Sequence, residues 1–149
     1  MSQHAHAPAP AEAPAVVGRP RHWLRLDALV VLVASLGVFH FTHQHWWLYP
    51  ALLFVPDVFM LGYVRGTSLG AALYNAGHSY LLPALVLAWG WWGHHDLASA
   101  MGIIWFGHVG WDRFFGYGLK YDSHFQHTHL GNLARTSRTA PAASRSVDQ

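Results

Sequence analysis

The sequence predicts an all-α fold, an integral-membrane up-and-down bundle of four helices with disordered tails at both ends. Apolar residues make up 52% of the 149-residue chain and charged residues only 11%. Four apolar stretches reach the roughly 17–25 residues that a helix needs to cross a bilayer. Because the links between these stretches are short, neighbouring helices are expected to pack antiparallel.

The four predicted helices follow one another closely along the chain. They run from Trp23 to Phe41, from Trp46 to Tyr63, from Leu69 to Trp91 and from Leu97 to Tyr117. The third predicted helix is the strongest evidence for a location in the membrane, because apolar side chains lie on all of its faces between residues 81 and 89. A helix of a soluble bundle can be as apolar, but it needs a polar outer face. Pro56 is expected to kink the second helix, or to be tolerated as membrane prolines are.

Both ends of the chain are predicted to be disordered tails. Residues 1–22 are rich in Ala and Pro, and residues 134–149 are rich in Ser, Ala and Arg. Such compositions bury too little apolar surface to offset the conformational entropy lost on folding. The first apolar run starts late and no small-residue cleavage site follows it, which argues against a secretory signal peptide. The domain is therefore predicted to span residues 23–133.

The positions of the charges predict the orientation in the membrane. With four crossings, all nine Lys and Arg residues fall on one side, and the opposite loops, residues 42–45 and 91–96, contain none. By the positive-inside rule both termini are predicted to lie on the cytoplasmic side of an inner membrane. Tryptophans collect at the outer boundary, as in an interfacial aromatic belt: Trp46, Trp47, Trp89, Trp91 and Trp92.

Composition also limits the classes of function and partner. The chain has no cysteine, which excludes disulfides, thiolate metal sites and cysteine nucleophiles. Its net charge is only +2, and its basic residues are dispersed, so nucleic-acid binding is not expected. The expected partners are the lipid bilayer and either another membrane protein or a second copy of the chain. Gly102 and Gly107 permit the close approach of helices.

Four ionisable residues lie at membrane depth, where such groups are costly and are usually functional. Asp57 lies in the second predicted helix, His78 in the third, and His108 and Asp112 in the fourth. The last two are spaced i,i+4 and therefore share a face. Facing helices of a bundle commonly build metal sites from His and carboxylates. The sequence therefore predicts a site for a divalent metal, Zn, Fe or Mn.

Other interpretations of the four residues remain open at this point. The histidines and aspartates can form a metal-free network that joins helices, as in a non-enzymatic accessory subunit of a membrane complex. They can also serve as a relay in a protein that handles protons or ions. Haem or pigment ligation by the histidines is a further alternative.

The segment after the fourth helix is predicted to lie at the interface or to re-enter the membrane. Gly116 and Gly118 permit a sharp turn, which would return one of the histidines of residues 124–129 toward Asp112. That segment contains His124, His127 and His129.

Three residues near the predicted site are expected to contact a substrate. Arg113 and Lys120 can hold its anionic part, or a lipid head group. As interfacial cations they can equally anchor the cytoplasmic end of the helix. Asn75 shares a helix face with His78 and is therefore expected to face the same cavity.

Four stretches of the sequence resemble a known family. They are PDVFMLGY from Pro56, YNAGHSYLLP from Tyr74, GHVGWDRFFGYGLKY from Gly107 and FQHTHLG from Phe125. Together they resemble the bacterial integral-membrane family known as domain of unknown function 4260, over residues 23–133. The resemblance implies the fold and the membrane location but no activity. By position it implies these polar residues: Asp57, Tyr74, Asn75, His78, His108, Asp112, Arg113, Lys120, Thr128 and His129.

The resulting hypothesis is a metal-dependent hydrolase, or an iron oxidase, that acts on a lipid-like or amphipathic substrate. His78, His108 and Asp112 would be ligands, and Asp57 a fourth ligand or the general base. His129 would be a catalytic acid or a further ligand. The residues assigned to substrate binding are Tyr74, Asn75, Arg113 and Lys120.

Overall fold

A computed structural model of the chain describes residues 15–122 and 125–132. Within them, the chain forms five α-helices, one 3₁₀ helix and a short antiparallel β-hairpin. The elements are α1 (Arg19–His40), α2 (Leu48–Leu52), the 3₁₀ helix (Val55–Arg65), α3 (Thr67–Gly77), α4 (Leu81–Trp92), α5 (Asp96–Phe115), β1 (His127–Thr128) and β2 (Gly131–Asn132). The predicted all-α class is confirmed. Most of the predicted N-terminal tail, and the C-terminal tail entirely, lie outside the described residues.

Helix α1 begins four residues before the predicted start at Trp23. Gly18 precedes the helix with a φ of +66°, and Pro20 lies in the first turn. Proline fits there because its missing N–H would have no partner within the helix, and its fixed φ is already helical. The helix therefore extends into residues 19–22, which the sequence assigned to the tail.

The second predicted helix is divided into α2 and the 3₁₀ helix. Helix α2 ends at Leu52, Leu53 and Phe54 form a turn, and Pro56 then lies in the first turn of the 3₁₀ helix. The proline ring cannot continue an α-helix because it lacks the N–H and clashes with the preceding turn. The break places Asp57 in the first turn of the 3₁₀ helix.

The structure corrects the single third helix to two, α3 and α4, separated at His78–Tyr80. Pro83 lies in the first turn of α4, where proline is tolerated because the N–H groups of a first turn have no partner within the helix. In the interior of one continuous helix, the same proline would remove a backbone hydrogen bond. Side chains of α5 satisfy carbonyls at the break. Trp105 Nε1 donates to the Gly77 carbonyl at 2.7 Å, and Arg113 donates to the His78 carbonyl at 3.5 Å.

Helix α5 lies at the centre of the fold and packs antiparallel against α1 and α4. Glycines on α5 allow the close approach. Gly107 lies against Ser35 of α1. Gly110, further along α5, lies against Ala28, which is about two turns nearer the start of α1. Gly102 lies in the same way against Leu87 of α4. The predicted packing role of Gly102 and Gly107 therefore agrees with their positions.

Two segments of the described chain are long and apolar enough to cross a membrane, Arg19–His40 and Leu48–Arg65. Helix α4 is apolar but has only 12 residues. Helix α5 has 20 residues, but charged and polar side chains interrupt it. Large apolar side chains are exposed along α1, the 3₁₀ helix and α4, among them Val30, Leu61, Val64, Leu85 and Trp92.

Candidate metal centre

The four ionisable residues predicted at membrane depth come together in one cluster. His78 Nε2 lies 3.3 Å from Asp57 Oδ1 and 3.4 Å from Asp112 Oδ2. His108 Nε2 lies 3.1 Å from His78 Nε2 and 3.7 Å from Asp57 Oδ1. One potential ligand atom from each residue lies within 4.8 Å of all the others. The predicted convergence of Asp57, His78, His108 and Asp112 is therefore confirmed.

Three helices supply these side chains, each at a defined point. Asp57 comes from the first turn of the 3₁₀ helix, and His78 follows the last residue of α3. His108 and Asp112 lie one turn apart on α5, so both face the same side. The helix break is what brings His78 to the cluster, since its backbone leaves the helix at that residue.

The Tyr74 carbonyl fixes the tautomer of His78. His78 Nδ1 lies 2.9 Å from this oxygen, which can only accept, so Nδ1 carries the proton. In the neutral ring, His78 Nε2 therefore presents a lone pair to the cluster. That lone pair faces the His108 ring nitrogen and the two carboxylates, so electron-rich atoms surround a single point. Such an arrangement requires a cation or shared protons at its centre.

The distances between the potential ligand atoms suit a metal of the size of Zn²⁺. Bonds of about 2.0–2.1 Å in a tetrahedral site separate neighbouring ligand atoms by about 3.3–3.4 Å. The distances from His78 Nε2 to His108, Asp57 and Asp112 are 3.1, 3.3 and 3.4 Å. Modest side-chain movements would bring His108 and Asp112, now 4.0 Å apart, to the same spacing.

Tyr74 contacts two of the potential ligands, Asp112 and His78, and helps to orient them. Its hydroxyl donates to Asp112 Oδ2 at 3.2 Å, and its ring stacks on His78 with centroids 3.7 Å apart. Residues that hold ligands in this way orient them and tune a metal site. The predicted contact of Tyr74 with a substrate is untested, and its observed contacts are with Asp112 and His78.

The cluster is accessible from one side. The side chains of His108, His78 and Asp112 are 0%, 3% and 15% exposed, whereas that of Asp57 is 39% exposed. Phe54, itself exposed, packs against His108 with the two rings nearly perpendicular. A molecule that reaches the cluster therefore meets Asp57 and the exposed apolar surface around Phe54.

Lys120 is held in an aromatic cage beside the cluster. Its ammonium nitrogen lies 3.2 Å from the centre of the Phe125 ring, 4.1 Å from that of Tyr74 and 5.4 Å from that of Tyr63. Cation–π attraction of this kind is stronger when the cation is desolvated. Burial lowers the pKa of Lys120 to about 8, against the opposing effect of the carboxylates of Asp112 and Asp57. Lys120 thus brings a positive charge close to the two carboxylates.

Asn75 fixes the backbone of Lys120. Its Nδ2 donates to the Lys120 carbonyl at 2.8 Å, and its Oδ1 accepts from the Lys120 amide at 2.7 Å. The same stretch pairs with the hairpin through a bridge between Lys120 and Thr128. The described contacts of Asn75 therefore position Lys120, and its predicted contact with a substrate is untested.

Replacing Asn75 with Ala is expected to release the Lys120 backbone. The variant loses two partly buried hydrogen bonds, so hydrogen exchange of the Lys120 amide should accelerate by about 10-fold or more. Hydrogen–deuterium exchange with residue resolution measures this, with the Phe41 amide at the end of α1 as an internal control. An unchanged rate at Lys120 would show that Asn75 does not hold it.

Arg113 and His129 are not among the potential metal ligands of the cluster. Arg113 covers the ring of Tyr80, with its Cζ 4.3 Å from the ring centre. His129 Nδ1 accepts a hydrogen bond from the Leu119 amide at 2.8 Å, so this nitrogen is not free to bind a metal. Burial lowers the pKa of His129, and the charge of Arg113 acts in the same direction. The structure therefore does not bring His129 among the potential ligands.

The other two histidines of the segment after α5 are not among the potential ligands of the described cluster. His127 lies in β1, and His124 lies outside the described residues. Sequence reasoning missed the roles of Trp105, which caps α3, and of Phe125, which encloses Lys120. The role of Trp105 leaves no local signal, because its partner lies 28 residues away. Phe125 is close to Lys120 in the sequence, but the cage also requires the distant rings of Tyr63 and Tyr74.

Comparison with known proteins gives one family and no relative of known activity. The family model described as Domain of unknown function (DUF4260) matches residues 21–133. No curated protein and no solved structure shows significant similarity to the chain.

Proposed function

We propose that this chain, which belongs to the family described as Domain of unknown function (DUF4260), is a membrane protein that binds a first-row divalent metal at Asp57, His78, His108 and Asp112. With that metal it would hydrolyse a lipid-like or amphipathic substrate. The observation that carries the proposal is the convergence of four potential ligand atoms on one point. In the neutral His78 ring, the hydrogen bond to the Tyr74 carbonyl also leaves Nε2 free to bind a metal.

The exposed apolar surface supports a location in the membrane. Soluble proteins rarely expose large continuous apolar patches, whereas α1, the 3₁₀ helix and α4 here expose many large apolar side chains. The basic residues would lie on the cytoplasmic side of the inner membrane, together with both termini. Helices α3 and α4 together would provide a third crossing and α5 a fourth, because α5 packs antiparallel to α1.

The donor set favours particular metals. Imidazole nitrogens combined with carboxylate oxygens suit Zn, Fe and Mn better than Mg or Ca, which prefer oxygen ligands alone. A bound metal of this kind would polarise a carbonyl or phosphoryl group and activate a water molecule. His78, His108 and Asp112 are the most enclosed members and would hold the metal.

Asp57 is the residue proposed to act in the reaction. It is the most exposed member of the cluster and faces the side from which a substrate arrives. Its carboxylate would be a fourth ligand or would accept a proton from the attacking water. Lys120, held close by in its aromatic cage, supplies a positive charge that favours an anionic group on the substrate.

Replacing Asp57 with Asn separates binding from hydrolysis. The variant is expected to retain the metal, because His78, His108 and Asp112 remain and the new amide oxygen can still coordinate. It is expected to hydrolyse a chromogenic amphipathic ester or phosphodiester in micelles about 100–1,000-fold more slowly, because an amide cannot accept the proton of the attacking water. Metal content and initial rates are measured on the same preparations. The matched control is Asp96→Asn, at the first residue of α5 and remote from the cluster.

Two results would contradict the proposed hydrolase activity. One is equal hydrolysis by the wild type and by Asp57→Asn. The other is a wild type that holds metal but shows no metal-dependent hydrolysis of esters, phosphodiesters or amides. A wild type that binds no metal and dissipates a pH gradient in sealed vesicles would favour the proton-handling alternative, in which the cluster conducts protons inward from Asp57.

A further inference from the structure

A cavity with both apolar and polar walls lies beside the candidate metal centre and is lined by none of its four residues. It has a volume of about 240 Å³ and lies between α1, the link from α3 to α4, the end of α5 and the hairpin. One wall is apolar and consists of Leu24, Ala28 and Val31, which recur on one face of α1. Asp27, Tyr80, Arg113 and His129 supply the polar groups.

Arg113 and His129 supply hydrogen-bond donors on one side of this cavity. The Arg113 guanidinium is fixed over Tyr80, and its contact with the His78 carbonyl is long, at 3.5 Å. A guanidinium has five N–H donors, so donors remain for a ligand. His129 Nδ1 accepts from the Leu119 amide, so the proton of the neutral ring lies on Nε2, which is then a donor. Together these groups suit a phosphate.

Asp27 adds a negative charge on the α1 side of the same cavity. Within the described chain, its carboxylate makes no ion pair or hydrogen bond. A ligand that carried only negative charge would be repelled by Asp27. A ligand that joins a phosphate to an ammonium group would instead meet an opposite charge at each end.

The apolar wall of the cavity indicates that the ligand also carries an apolar part. Leu24 and its neighbour Trp23 are exposed on the surface of α1 that we place against lipid. The basic residues Arg19, Arg21 and Arg25 of the first turns mark the level of the head groups. Acyl chains leaving the cavity would therefore pass along α1 into the bilayer.

We infer that this cavity binds a phospholipid whose head group joins a phosphate to a primary ammonium, as in phosphatidylethanolamine. Arg113 and His129 contact the phosphate, Asp27 accepts hydrogen bonds from the ammonium, and Leu24 and Val31 contact the chain. The quaternary ammonium of phosphatidylcholine cannot donate such hydrogen bonds, and phosphatidylglycerol has no cation. The inference rests on the proposed membrane location but not on the metal.

The test compares three short-chain lipids on the full-length, delipidated protein in detergent, by native mass spectrometry. Phosphatidylethanolamine is expected to bind on the order of 10-fold more tightly than phosphatidylcholine or phosphatidylglycerol. Asp27→Asn should abolish the preference over phosphatidylglycerol, and Arg113→Gln should weaken the binding of both lipids by about 10-fold. Arg65→Gln, an exposed arginine outside the cavity, is the matched control and should change neither.

The outcomes separate the alternatives. Equal affinity for the three lipids, an unchanged preference in Asp27→Asn, or equal effects of Arg113→Gln and Arg65→Gln would overturn the inference. Soluble phosphoethanolamine should bind on the order of 100-fold more weakly than the lipid, because it leaves the apolar wall uncovered. If it binds as tightly, the cavity holds a free phosphate compound. Metal content measured in the same samples shows whether any failure extends to the metal centre.

Discussion

Replacing Asp112 with Ala is expected to lower the affinity of the chain for Zn²⁺ by at least about 100-fold. Structural zinc sites with four protein ligands bind with about 10–16 kcal/mol, so that one ligand contributes roughly 3 kcal/mol. Asp112 is also the only acceptor for the Tyr74 hydroxyl among the described contacts, so the substitution removes a ligand together with its support. Competition with a chromophoric chelator in detergent measures the affinity.

Two comparison variants make the Asp112 result specific. Tyr74→Phe keeps all four ligands and removes only the hydroxyl that orients Asp112, and it should weaken binding by about 10-fold. Asp96→Ala removes a carboxylate at the far end of α5 and should leave the affinity unchanged. If Asp112→Ala binds Zn²⁺ as tightly as the wild type, Asp112 is not a ligand.

Replacing Gly107 with Ala is expected to destabilise the fold by about 2–4 kcal/mol. A methyl group at this position would overlap the Tyr49 hydroxyl and Ser35 Oγ. These two atoms form a buried hydrogen bond of 2.6 Å between α1 and α2. The substitution therefore separates α1 from α5 or breaks that bond. Reversible unfolding in mixed micelles gives the change in free energy.

Gly37→Ala is the matched control for this prediction. Gly37 lies in α1, and a methyl group there would meet no atom within 4 Å. Ala costs less backbone entropy than Gly in a helix, so this variant should be unchanged or stabilised by about 0.5–1 kcal/mol. Equal effects at the two positions would show that close packing at Gly107 does not hold α1 against α5.

The sequence was sufficient to predict the helical class and the members of the cluster. Ionisable groups in apolar segments are expensive, and this cost identifies Asp57 and His78 without any structure. The i,i+4 spacing places His108 and Asp112 on one face of a helix. These predictions succeeded because each depends on local composition or on helix periodicity.

The details that shape the site could not be predicted because they depend on distant partners. The pairing of Asn75 with Lys120 joins residues 45 positions apart, and the cap that Trp105 gives to α3 joins residues 28 apart. The break at His78 was missed because its apolar neighbours suit a continuous helix, although Pro83 was a local signal for it. His129 was predicted as a catalytic acid or a further ligand, but it lies outside the four-residue cluster and its Nδ1 accepts a hydrogen bond from the Leu119 amide.

Elemental analysis of the detergent-purified chain tests the metal centre most directly. The protein is prepared without chelator, its affinity tag is removed, and a His78→Ala/His108→Ala double variant is prepared in parallel. The proposed metal centre predicts about one Zn, Fe or Mn per chain in the wild type and almost none in the variant. A wild type without a first-row metal, or a variant that retains the metal in full, would contradict the proposed site.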